Sequence, residues 1–362
     1  LQVGREGSGC ERASIWALQE LNASFFVRFG DQGSEALTHN TLMQTSTGGA
    51  GPGLTEPSRD SYGECDSAAL SSRKLAEVTR EHGVDSATAL LYDRIRNAEP
   101  HRAFIEAVDA VDPAAPLPPT SARLLIAPAA FWREYPQIGA DGAAVLAVAR
   151  ELGISAERIP TRSTGGVTEN ARIIREALAK EADGSVILVS LSKGGADVRV
   201  ALDAGGAPLR KVRAWINVCG LVHGTPLVDQ FFAGPWWRRT MVRAFLARHR
   251  ADFRLIRELG HAPGSPLSAR AVAPDGVHLV NVIACPLSEH TSGALATRHR
   301  QLAALGPNDG STLLTDAIVD GGAIYPVWGA DHYFRTPDAP NLIRRILLHL
   351  GTAGHLPASP AP

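Results

Sequence analysis

Ser185-Val-Ile-Leu-Val-Ser-Leu-Ser-Lys-Gly-Gly195 is the stretch from which the rest of the chain can be ordered. Val186, Ile187, Leu188 and Val189 form a short apolar, mostly β-branched run, the composition of a strand buried on both faces. Ser190, Ser192, Gly194 and Gly195 crowd small residues into a sharp turn. The segment Ala196–Leu202 then carries apolar residues at helical spacing. A strand, a tight turn tipped by a serine and a helix together describe a nucleophile elbow. Its common spelling is Gly-x-Ser-x-Gly; here Ser190 takes the first position, giving Ser-x-Ser-x-Gly. Small residues are needed there because a strained turn brings neighbouring backbone close together.

Outward from this stretch the pattern alternates strand and helix. Upstream, Arg123-Leu-Leu-Ile-Ala-Pro reads as a strand, Gly142–Leu152 as a helix, Arg158-Ile-Pro-Thr as a short strand and Thr168–Ala182 as a helix. Downstream, Val212–Cys219 is a strand, and the pattern then pauses. His223–Ala273 is aromatic and basic, with Phe231-Phe-Ala-Gly-Pro-Trp-Trp-Arg-Arg and an amphipathic Met241–Arg250. Strands resume at Val277–Ala284 and Ala323–Trp328, with helices at Leu295–Leu305 and Ala339–Leu350. Such alternation predicts an α/β fold, a mainly parallel sheet with helices on both faces. The pause predicts a helical cap or lid at about 224–273. Its aromatics suit either a wall for an acyl group or the core of the cap.

The ends differ from this middle. Residues 1–69 are poor in pattern, and Thr45–Gly53 with its Ser/Glu/Pro-rich continuation reads as a flexible linker. The first methionine is Met43, so residues 1–42 are expected to be an upstream extension or a non-native segment. They lack a basic start followed by an apolar core, so no secretory signal is read and a cytoplasmic location is favoured. Residues 70–120 read as a helical segment closed by the proline-rich joint Pro113–Pro119, and residues 121–356 as the catalytic domain. Residues 357–362 read as a loose tail.

The 362 residues are 44% hydrophobic and 20% charged, with a formal net charge of −1. That composition is globular, and its near-neutral balance gives no footing for a nucleic-acid partner. No apolar run approaches the roughly 20 residues that span a bilayer. Cys10, Cys65, Cys219 and Cys285 show no metal-ligand spacing, and Cys219 and Cys285 read as buried thiols in core strands. No cofactor or metal is called for.

A serine hydroxyl needs an adjacent base, and the base needs an orienting group. In this topology the chain order is serine, acid, histidine. His332, in Trp328-Gly-Ala-Asp-His-Tyr-Phe, follows the last strand, on the side where parallel strands present their carboxyl ends. Asp309, in Gly306-Pro-Asn-Asp-Gly-Ser, is the favoured acid, with Glu289 and Asp331 as rivals. For the oxyanion hole, one donor is the backbone N–H of Lys193, directly after the nucleophile. The other is expected in the loop after the first strand, at Ala130 or Phe131.

Residues about 121–350 resemble an α/β-hydrolase, nearest in character to bacterial lipases and carboxylesterases. The resemblance rests on Ser190-Leu-Ser192-Lys-Gly194-Gly195, on Gly220-Leu-Val-His-Gly224-Thr-Pro-Leu-Val-Asp229, on Asn308-Asp309-Gly310 and on Asp331-His332. It implies ester hydrolysis through an acyl-serine, with a small-molecule or lipid ester as substrate. The sequence departs from many relatives in Ser190 and in having no His-Gly pair after the first strand. Three other readings use the same residues. Ser190-Leu-Ser192-Lys193 also spells Ser-x-x-Lys, with Ser190 as nucleophile and Lys193 as its base, although no Ser-Asp-Asn or Lys-Thr-Gly partner accompanies it. Acyl transfer would use the same triad, and a hydrolase fold can also serve as a binding module.

Overall fold

The structure, a computed structural model, describes residues 71–248, 251–334 and 336–359. The expected linker and extension within 1–69, with Cys10 and Cys65, lie outside the described residues. Three helices open the described chain: α1 (Ser72–His82), α2 (Val84–Asn97) and α3 (His101–Asp109). The alternating part follows as β1 (Arg123–Ala127), α4 (Ala143–Glu151), β2 (Ser155–Arg158), α5 (Val167–Leu178), β3 (Val186–Leu191) and α6 (Lys193–Asp203). Short α7 (Ala207–Lys211) leads into β4 (Val212–Val218). Then come α8 (Pro226–Ala233), α9 (Trp236–Arg248) and α10 (Arg254–Arg257). The chain closes with β5 (His278–Cys285), α11 (Gly293–Leu302), β6 (Ala323–Trp328) and α12 (Ala339–Thr352).

The strands form one sheet in the order β2-β1-β3-β4-β5-β6, and every pairing is parallel. Alternation along the strands divides the core. Leu124, Ile126, Ile187, Val189, Ala214 and Ile216 face one layer, formed by α4, α12 and the opening helices. Leu125, Val186, Leu188, Val212 and Trp215 face the other, formed by α5 and α6. The apolar run of β3 is buried on both sides, as its composition requires. Strand order reverses between β1 and β3, and ligands of open α/β sheets bind outside the carboxyl ends at such a switch point. The elbow serine emerges there.

Several expectations need correction. The strand expected at Arg158–Thr161 lies three residues earlier, at Ser155–Arg158. Its ladder ends where the Ile159 N–H donates to the Ile126 carbonyl at 2.8 Å, because Pro160 has no N–H to continue it. The helix expected to reach Ala182 stops at Leu178; Lys180 and Glu181 bond back three residues instead of four, tightening the chain toward Gly184 at φ 66°. The helical segment ahead of Pro113–Pro119 packs into the core of the sheet. Leu75, Leu91, Ile95, Ile105 and Val108 belong to the same apolar cluster as the sheet residues Leu124 and Ile126. Residues 357–359 are not loose: Ser121 donates to the Pro357 carbonyl at 3.1 Å, and Ser359 donates to that of Pro119 at 3.2 Å. Among the described residues, no helix is long and apolar enough to cross a membrane.

Candidate active site

Ser192 sits between β3 and α6 at φ 50° and ψ −118°, a conformation that L-residues rarely adopt. The turn is held on both sides, by the Ser192 N–H to the Val218 carbonyl and by the Leu221 N–H to the Ser192 carbonyl, each 3.0 Å. Glycine is required just beyond the tip. A Cβ on Gly194 would stand 2.2 Å from the Ala127 carbonyl oxygen, and one on Gly195 2.7 Å from the Gly220 Cα. The helix therefore starts against the ends of β1 and β4, which the two glycines allow to approach.

Ser190 is more than a small stand-in for glycine. It is fully buried, accepts the Trp215 indole N–H at 2.8 Å and donates to Asn217 Oδ1 at 3.1 Å. Asn217 donates onward to Asn281 Oδ1 at 3.3 Å and to the Ala317 carbonyl at 3.0 Å. Ser190, Asn217 and Asn281 are register partners on β3, β4 and β5, so they form one polar row across the sheet. The pairing Ser190–Lys193 of the Ser-x-x-Lys reading does not form. The Lys193 ammonium turns inward to Asp197, at 2.6 and 2.9 Å.

His332 arrives from the loop after β6, and its Nε2 lies 2.8 Å from Ser192 Oγ. Its Nδ1 lies 2.7 Å from Asp309 Oδ2, and its backbone N–H donates to the Asp309 carbonyl at 3.2 Å. Asp309 is aimed by its own turn. Fully buried Asn308 donates to the His299 and Gly306 carbonyls at 3.3 and 3.2 Å, and Gly310 donates back to Asn308 Oδ1 at 3.1 Å. The second oxygen, Asp309 Oδ1, accepts the N–H groups of Ser311 and Thr312 at 2.8 and 2.9 Å. Burial pushes this carboxyl's pKa up, but the His332 charge and hydrogen bond with the two N–H donors outweigh it and hold it below the ordinary value. The structure does not bring Glu289 to this histidine: its side chain is 76% exposed. Asp331 instead accepts the Tyr333 N–H at 3.0 Å.

This arrangement links stability to pH. Asp309 titrates lower in the fold than at the roughly 3.9 expected of an unfolded aspartate. Its contribution is therefore complete above that unfolded value and is lost as pH falls through the folded one. In urea melts from pH 6 to pH 3, the gap between the protein and Asp309→Asn should close toward acid. A gap that stays constant would contradict it.

The expected oxyanion donors separate. Lys193 is the first residue of α6, so its N–H has no intrahelical partner. Phe131, at φ 57°, turns its N–H to the Ser163 carbonyl at 2.8 Å and is excluded as a donor. Ala129 is likewise engaged, donating to Ala140 at 2.9 Å. Ala130, between them on the cavity wall, has an N–H without a partner among the described residues. Long-range acceptors such as Ser163 leave no local trace in sequence, which is why Ala130 and Phe131 could not be told apart there.

A cavity of ≈ 300 Å³ opens over Ser192 and His332. The cap contributes aliphatic wall, Leu227, Leu255, Ile256 and Leu259, while the aromatic wall comes from Phe131, Tyr135, Tyr333 and Phe334 outside it. The cap's own phenylalanines pack edge to face inside it, Phe231 on Phe232 and Phe232 on Phe253. Trp236 and Trp237 stand on the surface. Tyr135 and Phe334 carry no mark of this role in the sequence, because lone aromatics in loops give no periodic signal.

No protein-family model matches the sequence, and no curated protein matches it. Among solved structures, a metagenomic carboxyl esterase matches with a TM-score of 0.50 and 22% sequence identity, over 66% of this chain and 76% of that one. The mature form of a Bacillus licheniformis lipase matches with a TM-score of 0.43 and 16% identity, over 64% of this chain and 90% of that one. With the six-stranded parallel sheet, its flanking helices and the first of these likenesses, the fold is that of an α/β-hydrolase.

Proposed function

We propose that this protein is a serine carboxylic ester hydrolase, a carboxylesterase or lipase, acting through an acyl-serine intermediate. The observation that carries this reading is the unbroken relay from Ser192 Oγ through His332 to Asp309, at 2.8 and 2.7 Å, with its serine end in the cavity. Ser192 Oγ attacks the ester carbonyl while His332 Nε2 takes its proton. Asp309 holds the imidazole in the required tautomer and stabilises the imidazolium that forms. The tetrahedral oxyanion is met by the N–H groups of Lys193 and Ala130, each donor of this kind being worth roughly 2.7–4 kcal/mol. His332 then gives its proton to the departing alcohol. Water, deprotonated by the same histidine, releases the acid from Ser192.

The aliphatic and aromatic wall suits an ester with an apolar acyl or alcohol part. A fluorophosphonate probe should label the purified protein at one serine, Ser192, as located by peptide mass. A series of 4-nitrophenyl esters from acetate to palmitate should show turnover with a maximum at one chain length. Folded protein that takes no label and cleaves no ester would overturn the reading.

A further inference from the structure

The two proposed oxyanion donors lie on separate segments: Lys193 opens α6, and Ala130 lies in the loop after β1. Their N–H groups must converge on a single oxygen. Behind the cavity a buried network connects the two segments. Lys193 and Asp197, each 1% exposed, are joined by the ion pair described above. Asp197 Oδ2 accepts from Nδ2 of Asn170, on α5, at 2.9 Å. Asn170 is 2% exposed and clamps the backbone of Arg162 from both sides, accepting its N–H at 2.9 Å and donating to its carbonyl at 3.1 Å. The next residue, Ser163, holds the loop after β1. Its carbonyl accepts the Phe131 N–H at 2.8 Å. Its hydroxyl accepts the Arg133 N–H at 3.2 Å and donates to the Glu134 carboxylate.

We propose that Asn170 is a positioning residue for the oxyanion hole, setting the separation of the Lys193 and Ala130 N–H groups without touching substrate. The inference rests on the ester-hydrolase reading of the same site. Asn170 is the one side chain in this network that bonds to both halves, reaching α6 through Asp197 and the loop after β1 through Arg162. Asp197 needs a donor beyond Lys193, because a carboxylate buried to this depth is costly unless fully bonded. Asn170→Ala removes that donor and both holds on Arg162. The peptide that fixes Phe131 can then shift, and Ala130 with it. A displacement of about 1 Å in a catalytic group can cost on the order of a hundredfold in rate.

The test compares Asn170→Ala with the unaltered protein on 4-nitrophenyl butyrate and on an aryl trifluoromethyl ketone, whose hemiketal oxygen occupies the hole. The expected result is a kcat lower by about ten- to a hundredfold with KM within about threefold, and ketone affinity falling in step. If Asn170→Ala does not fold, Asn170→Asp, of the same size, replaces the amide donor with an acceptor and is judged by the same readouts. A merely structural residue would lower Tm while kcat and ketone affinity stayed within about twofold, and that result overturns the proposal. Ser192→Ala, run in parallel, separates the two claims. Turnover that survives in Ser192→Ala brings down the reading of the site and the inference with it. Turnover lost there but intact in Asn170→Ala brings down the inference alone.

Discussion

Ser192→Ala should abolish measurable ester turnover, lowering kcat by roughly a millionfold, while the protein still folds and binds ester. The size follows from what is removed. Without Oγ no acyl-enzyme forms, and His332 at 2.8 Å has no hydroxyl to deprotonate. Only binding and the backbone donors would remain, and these give modest acceleration over water. Ser190→Ala is the necessary control, because the two serines are two residues apart. It should lower stability by about 1–3 kcal/mol, since the indole N–H of Trp215, itself 1% exposed, loses its acceptor. Its turnover should stay close to that of the unaltered protein. Stopped-flow burst amplitudes with a 4-nitrophenyl ester and calorimetric Tm values would read both. Activity lost with Ser190 and kept without Ser192 would reverse the assignment.

Asp309→Asn should leave the sheet and cap intact and reduce kcat by about ten-thousandfold. An amide can still bond to His332 Nδ1, but its NH2 group can turn toward the ring and force the proton onto Nε2. The imidazole would then present a donor to Ser192 where an acceptor is needed. Oδ1 already accepts two backbone N–H groups, so the amide oxygen will settle there and the NH2 will face His332. The turn itself therefore enforces the wrong tautomer. Steady-state kinetics at pH 8 measures the effect, and Glu289→Gln serves as the control expected to do little. If Asp309→Asn keeps near-normal turnover while Glu289→Gln loses it, the acid has been misassigned.

What was legible in the sequence was local. The apolar run Val186–Val189, the glycines at 194 and 195 and the order of Ser192, Asp309 and His332 each express a constraint within a few residues or in the chain order. The sheet's alternation was legible for the same reason, and strand β6 occurs at the expected residues, Ala323–Trp328. What stayed hidden depends on partners far along the chain. Asn170 reaches Asp197 across 27 residues, and neither position marks the other in sequence. Phe131 loses its N–H to Ser163, 32 residues on. The helices before Pro113 join the sheet's core through Leu75 and Ile105, which an isolated amphipathic pattern cannot reveal. The cap's aromatics suited a wall or a core equally well by composition, and packing put the phenylalanines in the core.

The row Ser190–Asn217–Asn281 has a consequence for anyone who would redesign this chain. Restoring the common spelling with Ser190→Gly looks like a repair, yet it strips the Trp215 indole of its acceptor and Asn217 Oδ1 of its donor. Asn217 Oδ1 also lies where a Cβ on Gly195 or Gly220 would have to go, so the glycines at those positions are tied to the same row. The two spellings are thus separate solutions with a barrier between them. Changing the indole at 215 together with the serine at 190 removes the stranded N–H but still leaves Asn217 Oδ1 without the hydroxyl that donates to it, so the residue at 217 has to change with them.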